Sequence, residues 1–507
     1  MNKIREAALF SALSLLLVLH TTVLRGQSSS QSGGASGGSG AGGIQTGGSG
    51  VSSSQSSGQI TATPQMGDPK FQGSVPQGQA TSATIPLSFG TAIKKGLQTN
   101  LGLLTSEESS REIRAQRLRA LSTLLPKVTG QVGATEQQIN LQAVGFLFHF
   151  PGINIPSIIG PYNYEIASAN VSAALFDFSA ISNFKASKEE TKASVLTIKN
   201  ARDLVVQAVG NAYLQIIADA ARITATQAEI EADRAVYINA TLRHDAGTAI
   251  AIDVLRSEVE LKQRQQQLVA VSNQFEKDKL TLGRVIGLPV GQDFSVADPS
   301  PAVPLTAISV SEALSKAYEH RPDYQAAKAR VLAARFTLRG AKAERYPTLY
   351  ANGFYGAEGL GLFSNSHGVF NATATLQFNI FDGGRIKSDI LQNDAELRNR
   401  SNELENLRGQ IDLEVRSALL DLNSAHEQVD VAQTNLQLAT ETVKQARDRF
   451  SAGVTNTVEV VQAQQSLADA NENLISAQFQ YNLAKVSLAR SLGLAEESIG
   501  TYFANQP

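Results

Sequence analysis

Across residues 411–450, apolar side chains recur at alternating steps of four and three. They are Ile411, Val415, Ala418, Leu422, Ala425, Val429, Ala432, Leu436, Ala439, Val443, Ala446 and Phe450. After a short Gly-containing turn the pattern resumes with Ala463, Leu467, Ala470, Leu474, Ala477, Tyr481, Ala484 and Leu488. This spacing puts the apolar side chains on one stripe of a helix, and Ala alternating with larger residues lets two helices approach closely. The pattern predicts a long antiparallel coiled coil. At 1.5 Å per residue, a helix over residues 185–245 would span roughly 90 Å, and one over 386–450 slightly more. Rods of that length suit a tube wall rather than a globular core.

The same design occurs earlier in the chain. Leu261, Leu268, Phe275 and Leu282 occupy the positions of Leu467, Leu474, Tyr481 and Leu488, while Asp219 and Asp233 interrupt the stripe of the preceding helix. Leu87-Ser88-Phe89-Gly90-Thr91-Ala92-Ile93 matches Ile308-Ser309-Val310-Ser311-Glu312-Ala313-Leu314 at an offset of 221 (308 − 87), and Pro126 matches Pro347 (347 − 126). Further on the offset is 206, pairing Arg243 with Arg449, Gly247 with Gly453 and Gly287 with Gly493. One register held over so many positions indicates an internal duplication. Repeat one covers residues 81–297 and repeat two residues 305–494, with a Pro-rich linker at 298–304 and a C-terminal tail at 495–507. Each repeat reads as a helix, two strand segments and two long helices.

The strand segments alternate with period two. Asn371, Thr373, Thr375, Gln377 and Asn379 alternate with Ala372, Ala374, Leu376, Phe378 and Ile380. Ser168, Asn170 and Ser172 alternate with Ala167, Ala169, Val171 and Ala173. Lys127, Thr129 and Gln131 alternate with Val128 and Val132, as do Thr348, Tyr350 and Asn352 with Leu349 and Ala351. About ten residues each is the length of a tilted strand crossing a bilayer. A two-layer soluble sheet would show the same alternation. Four strands cannot close a barrel, and lipid does not tolerate an open sheet edge, so the membrane reading requires an oligomer.

The N-terminus favours the membrane reading. Lys3 and Arg5 precede an apolar run over residues 9–19, which reads as a signal peptide over residues 1–26; a retained anchor helix is the alternative. Residues 27–80 are rich in Ser, Gly and Gln and read as a flexible tail. The 507-residue chain has 44 Lys plus Arg against 46 Asp plus Glu, a formal net charge of −2. This balance gives no basic footprint for nucleic acid. Cysteine is absent, which removes disulfides, thiolate metal sites and a cysteine nucleophile. The six His residues show no ligand spacing, and no phosphate-cradling Gly loop sits between a strand and a helix. No enzyme, cofactor or metal is expected. A periplasmic coiled-coil scaffold or adaptor without a pore remains the rival reading, although it has no use for four membrane-length strands.

The turn motifs carry a family resemblance. The second long hairpin turns through Arg449-Phe450-Ser451-Ala452-Gly453-Val454-Thr455-Asn456-Thr457-Val458-Glu459-Val460, and the first through Arg243-His244-Asp245-Ala246-Gly247-Thr248-Ala249-Ile250-Ala251-Ile252-Asp253-Val254-Leu255. Phe381-Asp382-Gly383-Gly384-Arg385 closes the last strand, with Phe176-Asp177 as its partner. In this order the motifs resemble the TolC-like outer-membrane efflux family. The resemblance implies a mainly helical fold with membrane β-structure. Three protomers would each give four strands to a twelve-stranded barrel in outer-membrane lipid, above a periplasmic tunnel of long helices. It further implies an exit duct fed by an inner-membrane transporter through a periplasmic adaptor. On that view Asp253 and Glu459 ring the tip constriction, Arg243, Gly247, Arg449 and Gly453 form the tip turns, and Val254, Leu255, Val458 and Val460 contact the adaptor. Gln462 stands where relatives place a second acid. Three carboxylates in a narrow neck would favour cations; alternatively, Asp253 and Glu459 stabilise the first turn of the returning helix.

Overall fold

The computed structural model describes residues 69–498 except 144, 146–155, 297–307, 362–364, 453 and 456. The expected signal, most of the tail, the linker and Gly453 lie outside the described residues. The first repeat runs β1 (Ile85–Leu87), α1 (Phe89–Thr99), α2 (Leu101–Ser122), β2 (Lys127–Asn140), β3 (Ile158–Phe176), α3 (Phe178–Asp245) and α4 (Ala251–Val285). A short β4 (Phe294–Val296) pairs in parallel with β1. The second repeat runs α5 (Val310–His320), α6 (Pro322–Ala343), β5 (Thr348–Gly359), β6 (Ser366–Gln377), α7 (Arg385–Ser451) and α8 (Thr457–Ser491). Offsets of 221 (α1 to α5, α2 to α6) and 206 (α4 to α8) hold at both ends of each helix.

Two helices, not one, precede the strands of each repeat. In the first, Asn100 stops α1 with an extended ψ of 126° and caps α2, its Oδ1 accepting from Gly102 N at 2.9 Å and Leu103 N at 3.3 Å. Arg321 breaks the second repeat at the equivalent point, where Pro322 pre-sets the first helical position of α6. The asparagine also reaches back, donating from Nδ2 to Phe71 O at 2.6 Å. Phe71 is buried against the same core as Leu87 and Leu103. The chain is therefore packed from Pro69, earlier than the composition of residues 27–80 suggested, because a single aromatic anchor supplies the burial that the Ser- and Gly-rich stretch lacks.

α3 and α7 hold 68 and 67 residues, each roughly 100 Å long at the helical rise. Every position of the stripe from Ile411 to Phe450 is buried or half-buried, and Ile411 and Val415 are fully enclosed. Ile411, Val415, Ala418 and Leu422 meet Tyr481, Ala484 and Leu488 of α8 in one apolar cluster. The first repeat builds the matching cluster from Val205, Val209, Tyr213 and Ile216 with Leu282.

Asp219 and Asp233 sit inside this packing, 2% and 5% exposed. Burial pushes both carboxyls up to about 6, helped at Asp219 by a bond to Asp278 and opposed by Arg222; at Asp233 Arg264 opposes it. Because the folded state holds these protons more tightly than the unfolded chain, stability falls as pH rises from about 4 to about 6. Each ionised carboxylate then costs on the order of 2 kcal/mol. Asp219→Asn with Asp233→Asn is expected to raise the thermal midpoint at pH 7.5 but change little at pH 4.5. A gain of equal size at both values would show that desolvation is not the cause.

The strands form one antiparallel sheet in the order β2-β3-β5-β6. They run 14, 19, 12 and 12 residues, longer than the expected ten, with the β2–β3 hairpin extending furthest. Val128 pairs with Val171, Val171 with Gly353, and Leu349 with Leu376. Register thus collects Val128, Val132, Ala169, Val171, Ala351, Tyr355, Phe370 and Leu376 on one face. Thr129, Gln131, Ser168, Asn170, Asn352, Thr373 and Thr375 share the other. Val132 is 76% exposed and Phe370 79%. A sheet with one bare apolar face, one polar face and two unpaired edges is unfinished as a water-soluble unit. Phe176, Phe178, Tyr346, Phe378 and Phe381 are exposed where the sheet meets the helices, the aromatic belt expected at a bilayer boundary.

Candidate functional site at the helical tips

Both long hairpins turn at the end of the rods away from the sheet. The α3–α4 turn closes as a Schellman motif, with Thr248 N donating to Arg243 O at 2.8 Å and Gly247 N to His244 O at 2.9 Å. Gly247 adopts φ +71°, as this motif requires. The α7–α8 turn makes the matching bond from Val454 N to Arg449 O at 3.0 Å.

Duplication places Arg243 and Arg449 at equivalent points, yet they act differently. Arg449 Nη1 lies 3.2 Å from Glu459 Oε1 across its own hairpin, and the Thr455 hydroxyl donates to the same carboxylate. Arg243 leaves its own hairpin. Its Nη2 donates to Phe450 O at 2.9 Å and Ser451 O at 3.3 Å, and its guanidinium stacks 4.2 Å from the Phe450 ring centroid. A cation thus meets the negative end of α7 and an aromatic face together, joining the two tips. Nothing in the sequence separates the two arginines, because the distinction depends on how the hairpins lie side by side.

Asp253 stands in the first turn of α4, mostly buried, with Arg256 Nη1 at 3.9 Å from its Oδ1. The N-cap Ile250 makes no side-chain capping bond. Gln462 is exposed, Val254 and Val458 are half-buried, and Leu255 is exposed. Val460 is a correction to the expected adaptor contacts. It is fully buried among Val236, Val443, Ala446 and Ala463, so it holds the tip together and offers nothing to a partner. Sequence reasoning also passed over Ile250, Ile252 and Val454, which are exposed beside the turns; apolar residues flanking a turn glycine were the available signal. Among the described residues no group of acidic or histidine side chains is placed to hold a metal.

A two-faced sheet on rods of this length, with pinned turns at the far end, is the architecture of a membrane-anchored conduit. The sequence matches the family described as "Outer membrane efflux protein" over residues 92–288 and 313–494, and the chain belongs to that family. It is 27% identical to the pyoverdine export outer membrane protein OpmQ of Pseudomonas aeruginosa, over 76% of this chain and 80% of that one. It is 24% identical to the toluene efflux pump outer membrane protein TtgF of Pseudomonas putida, over 81% and 84%. The fold matches the outer-membrane protein VceC of Vibrio cholerae with a TM-score of 0.68 at 17% identity, covering 80% of this chain and 96% of that one. CusC gives 0.67 at 18%, covering 83% and 99%. The chain is an outer-membrane efflux protein, and its role is that of an exit duct.

Proposed function

We propose that three copies close a twelve-stranded barrel and that the duct serves a tripartite efflux or type I secretion system. Substrates would enter at the tips from an inner-membrane transporter, through a periplasmic adaptor docked on the exposed Leu255, Ile250, Ile252 and Val454 and the half-buried Val254 and Val458. The observation that carries this reading is the sheet: an apolar face for lipid, a polar face for a water-filled lumen, and an open edge on each side. A periplasmic scaffold without a pore would leave Val132 and Phe370 in water.

Asp253 and Glu459 stand in the first turns of the two returning helices, at the proposed entrance. In planar bilayers the purified protein is expected to prefer cations, and Asp253→Ala with Glu459→Ala to reduce that preference severalfold. Unchanged selectivity would assign both acids to their local bonds with Arg256 and Arg449. Proteins that conduct no ions at all would refute the duct itself.

A further inference from the structure

Charge is divided between the two ends of the sheet. Residues 128–176 and 346–384, which hold the four strands apart from Lys127, contain no Lys or Arg. Toward the turns far from the helices, the strands carry the acids Glu136, Glu165 and Glu358. The helical side is the reverse. α3 presents Lys185, Lys188 and Lys192 at steps of three and four, and α6 presents Arg335, Arg339 and Lys342 at steps of four and three; all six are exposed. Such spacing puts each set on one face of its helix. None of the six forms an ion pair among the described residues, and the acid at the end of α6, Glu344, is taken by Arg385 at 2.8 Å. Glu189 and Glu190, in the same stretch of α3, are half-buried.

Packing fixes where these faces point. α3 lies between α2 and α6, with Ser110 Oγ 3.0 Å from Ser194 Oγ on one side and Arg330 Nη2 donating to Thr197 Oγ1 at 2.9 Å on the other. Gly340 backs onto Asn183 and Ser179, which aligns the last turns of α6 with the first turns of α3. At the sheet end the two faces lead to Phe178 and Tyr346, both exposed, whose rings meet edge to face at 6.1 Å. Lys185 is seven residues from Phe178, two turns along the same face. Phe176, two residues before Phe178, pairs with Leu349, which pairs with Leu376 on the apolar face. The basic stripes therefore continue the lipid side of the sheet and not its polar side.

We propose that the two stripes form a collar that binds anionic phospholipid headgroups in the leaflet on the helical side of the membrane. The proposal rests on the reading of the apolar sheet face as lipid-facing and adds the class of lipid the protein selects. Depth agrees with it. At the helical rise, Lys185, Lys188, Arg335, Arg339 and Lys342 lie roughly 2 to 15 Å beyond the sheet-side ends of their helices. A headgroup layer is about 5 to 8 Å deep on each side of a bilayer, and an anionic surface acts over a further Debye length of about 8 Å. Clustered Lys and Arg beside a membrane attract such a surface, and a guanidinium can hold a phosphodiester through two N–H groups at once. The acids at the opposite end of the strands repel the same headgroups, so the preference belongs to one leaflet.

The test counts lipid bound to the protein in a neutral detergent by native mass spectrometry, with phosphatidylglycerol and phosphatidylcholine as probes. The wild type is expected to retain phosphatidylglycerol over phosphatidylcholine at least fivefold. Lys185→Gln, Lys188→Gln, Arg335→Gln, Arg339→Gln and Lys342→Gln together should bring the ratio close to one, while Lys185→Arg, Lys188→Arg and Lys342→Arg together should preserve it. In phosphatidylcholine bilayers the five-Gln variant should keep the wild-type ion selectivity. A wild type that holds both lipids equally, or a five-Gln variant that keeps the preference, would overturn the collar and leave the duct standing. Altered ion selectivity with an unaltered lipid ratio would put the stripes on the lumen and overturn it as well. A protein that prefers phosphatidylglycerol through these residues yet conducts no ions would overturn the duct and leave the collar.

Discussion

Replacing Arg321 with methionine is expected to destabilise the protein by about 3 to 5 kcal/mol, the usual loss when a buried charge keeps its environment but not its partner. Arg321 is 1% exposed. Its Nε and Nη2 donate to Asp323 at 3.1 and 2.7 Å, its Nη1 to Glu414 at 2.5 Å, and the same nitrogen approaches Ser491 O at 3.5 Å. One side chain thereby ties the start of α6 to α7 and to the end of α8. Burial alone would raise the Asp323 carboxyl, but the bonds and charge of Arg321 outweigh it and hold the group below its ordinary value. Methionine fills similar space and leaves that carboxylate buried with only the more distant Arg490, its Nη2 3.8 Å away, as a charged partner; Glu414 is partly solvated and contributes less. The check is thermal unfolding by circular dichroism, where the midpoint should fall by several degrees. Arg321→Lys should recover part of the loss. A wild-type midpoint for the methionine variant would show that the cluster carries no stability.

Gly493→Ala is expected to cost about 3 kcal/mol. The residue adopts φ +73°, which costs an L-residue about 1 to 2 kcal/mol. A Cβ there would also lie 2.6 Å from Arg321 Cα and 2.8 Å from Arg321 N, so the backbone linking α5 and α6 must move. Gly247→Ala is the control. It has φ +71° with nothing within 4 Å of the new atom, and should lose only about 1 kcal/mol. Equal losses at the two sites would mean that close approach to Arg321 is unimportant. Since Gly493 and Arg321 touch, their effects should not add.

Much of this architecture was legible in the sequence because it rests on periodicity. The four-three stripe from Ile411 to Phe450 is the buried face of α7, and the alternation at residues 371–377 separates the two faces of the sheet, although the strand ends before the expected residues 378–380. The break at Asn100 was missed because a single capping side chain, rather than a loss of pattern, ends α1, whereas Pro322 was the local signal for the break at Arg321. The bond between Arg321 and Glu414 joins residues far apart in the chain, and no local signal announces it. At the tips, glycine spacing located the turns, and Gly247 has the conformation its motif demands. Val460 was misread because a residue one helical step from an exposed position can face inward, and spacing near a turn does not say which way the helix is rotated. Arg243 and Arg449 are indistinguishable in sequence for the same reason: their partners are chosen by packing between hairpins.

Everything about the duct depends on several chains sharing one closed wall. The most direct measurement is the mass of the purified protein in detergent, corrected for bound detergent, with conductance recorded on the same sample. The expected particle contains three chains, each at most 53.9 kDa before any processing, and it conducts ions. A particle of one chain, folded, soluble without detergent and silent in a bilayer, would contradict the account.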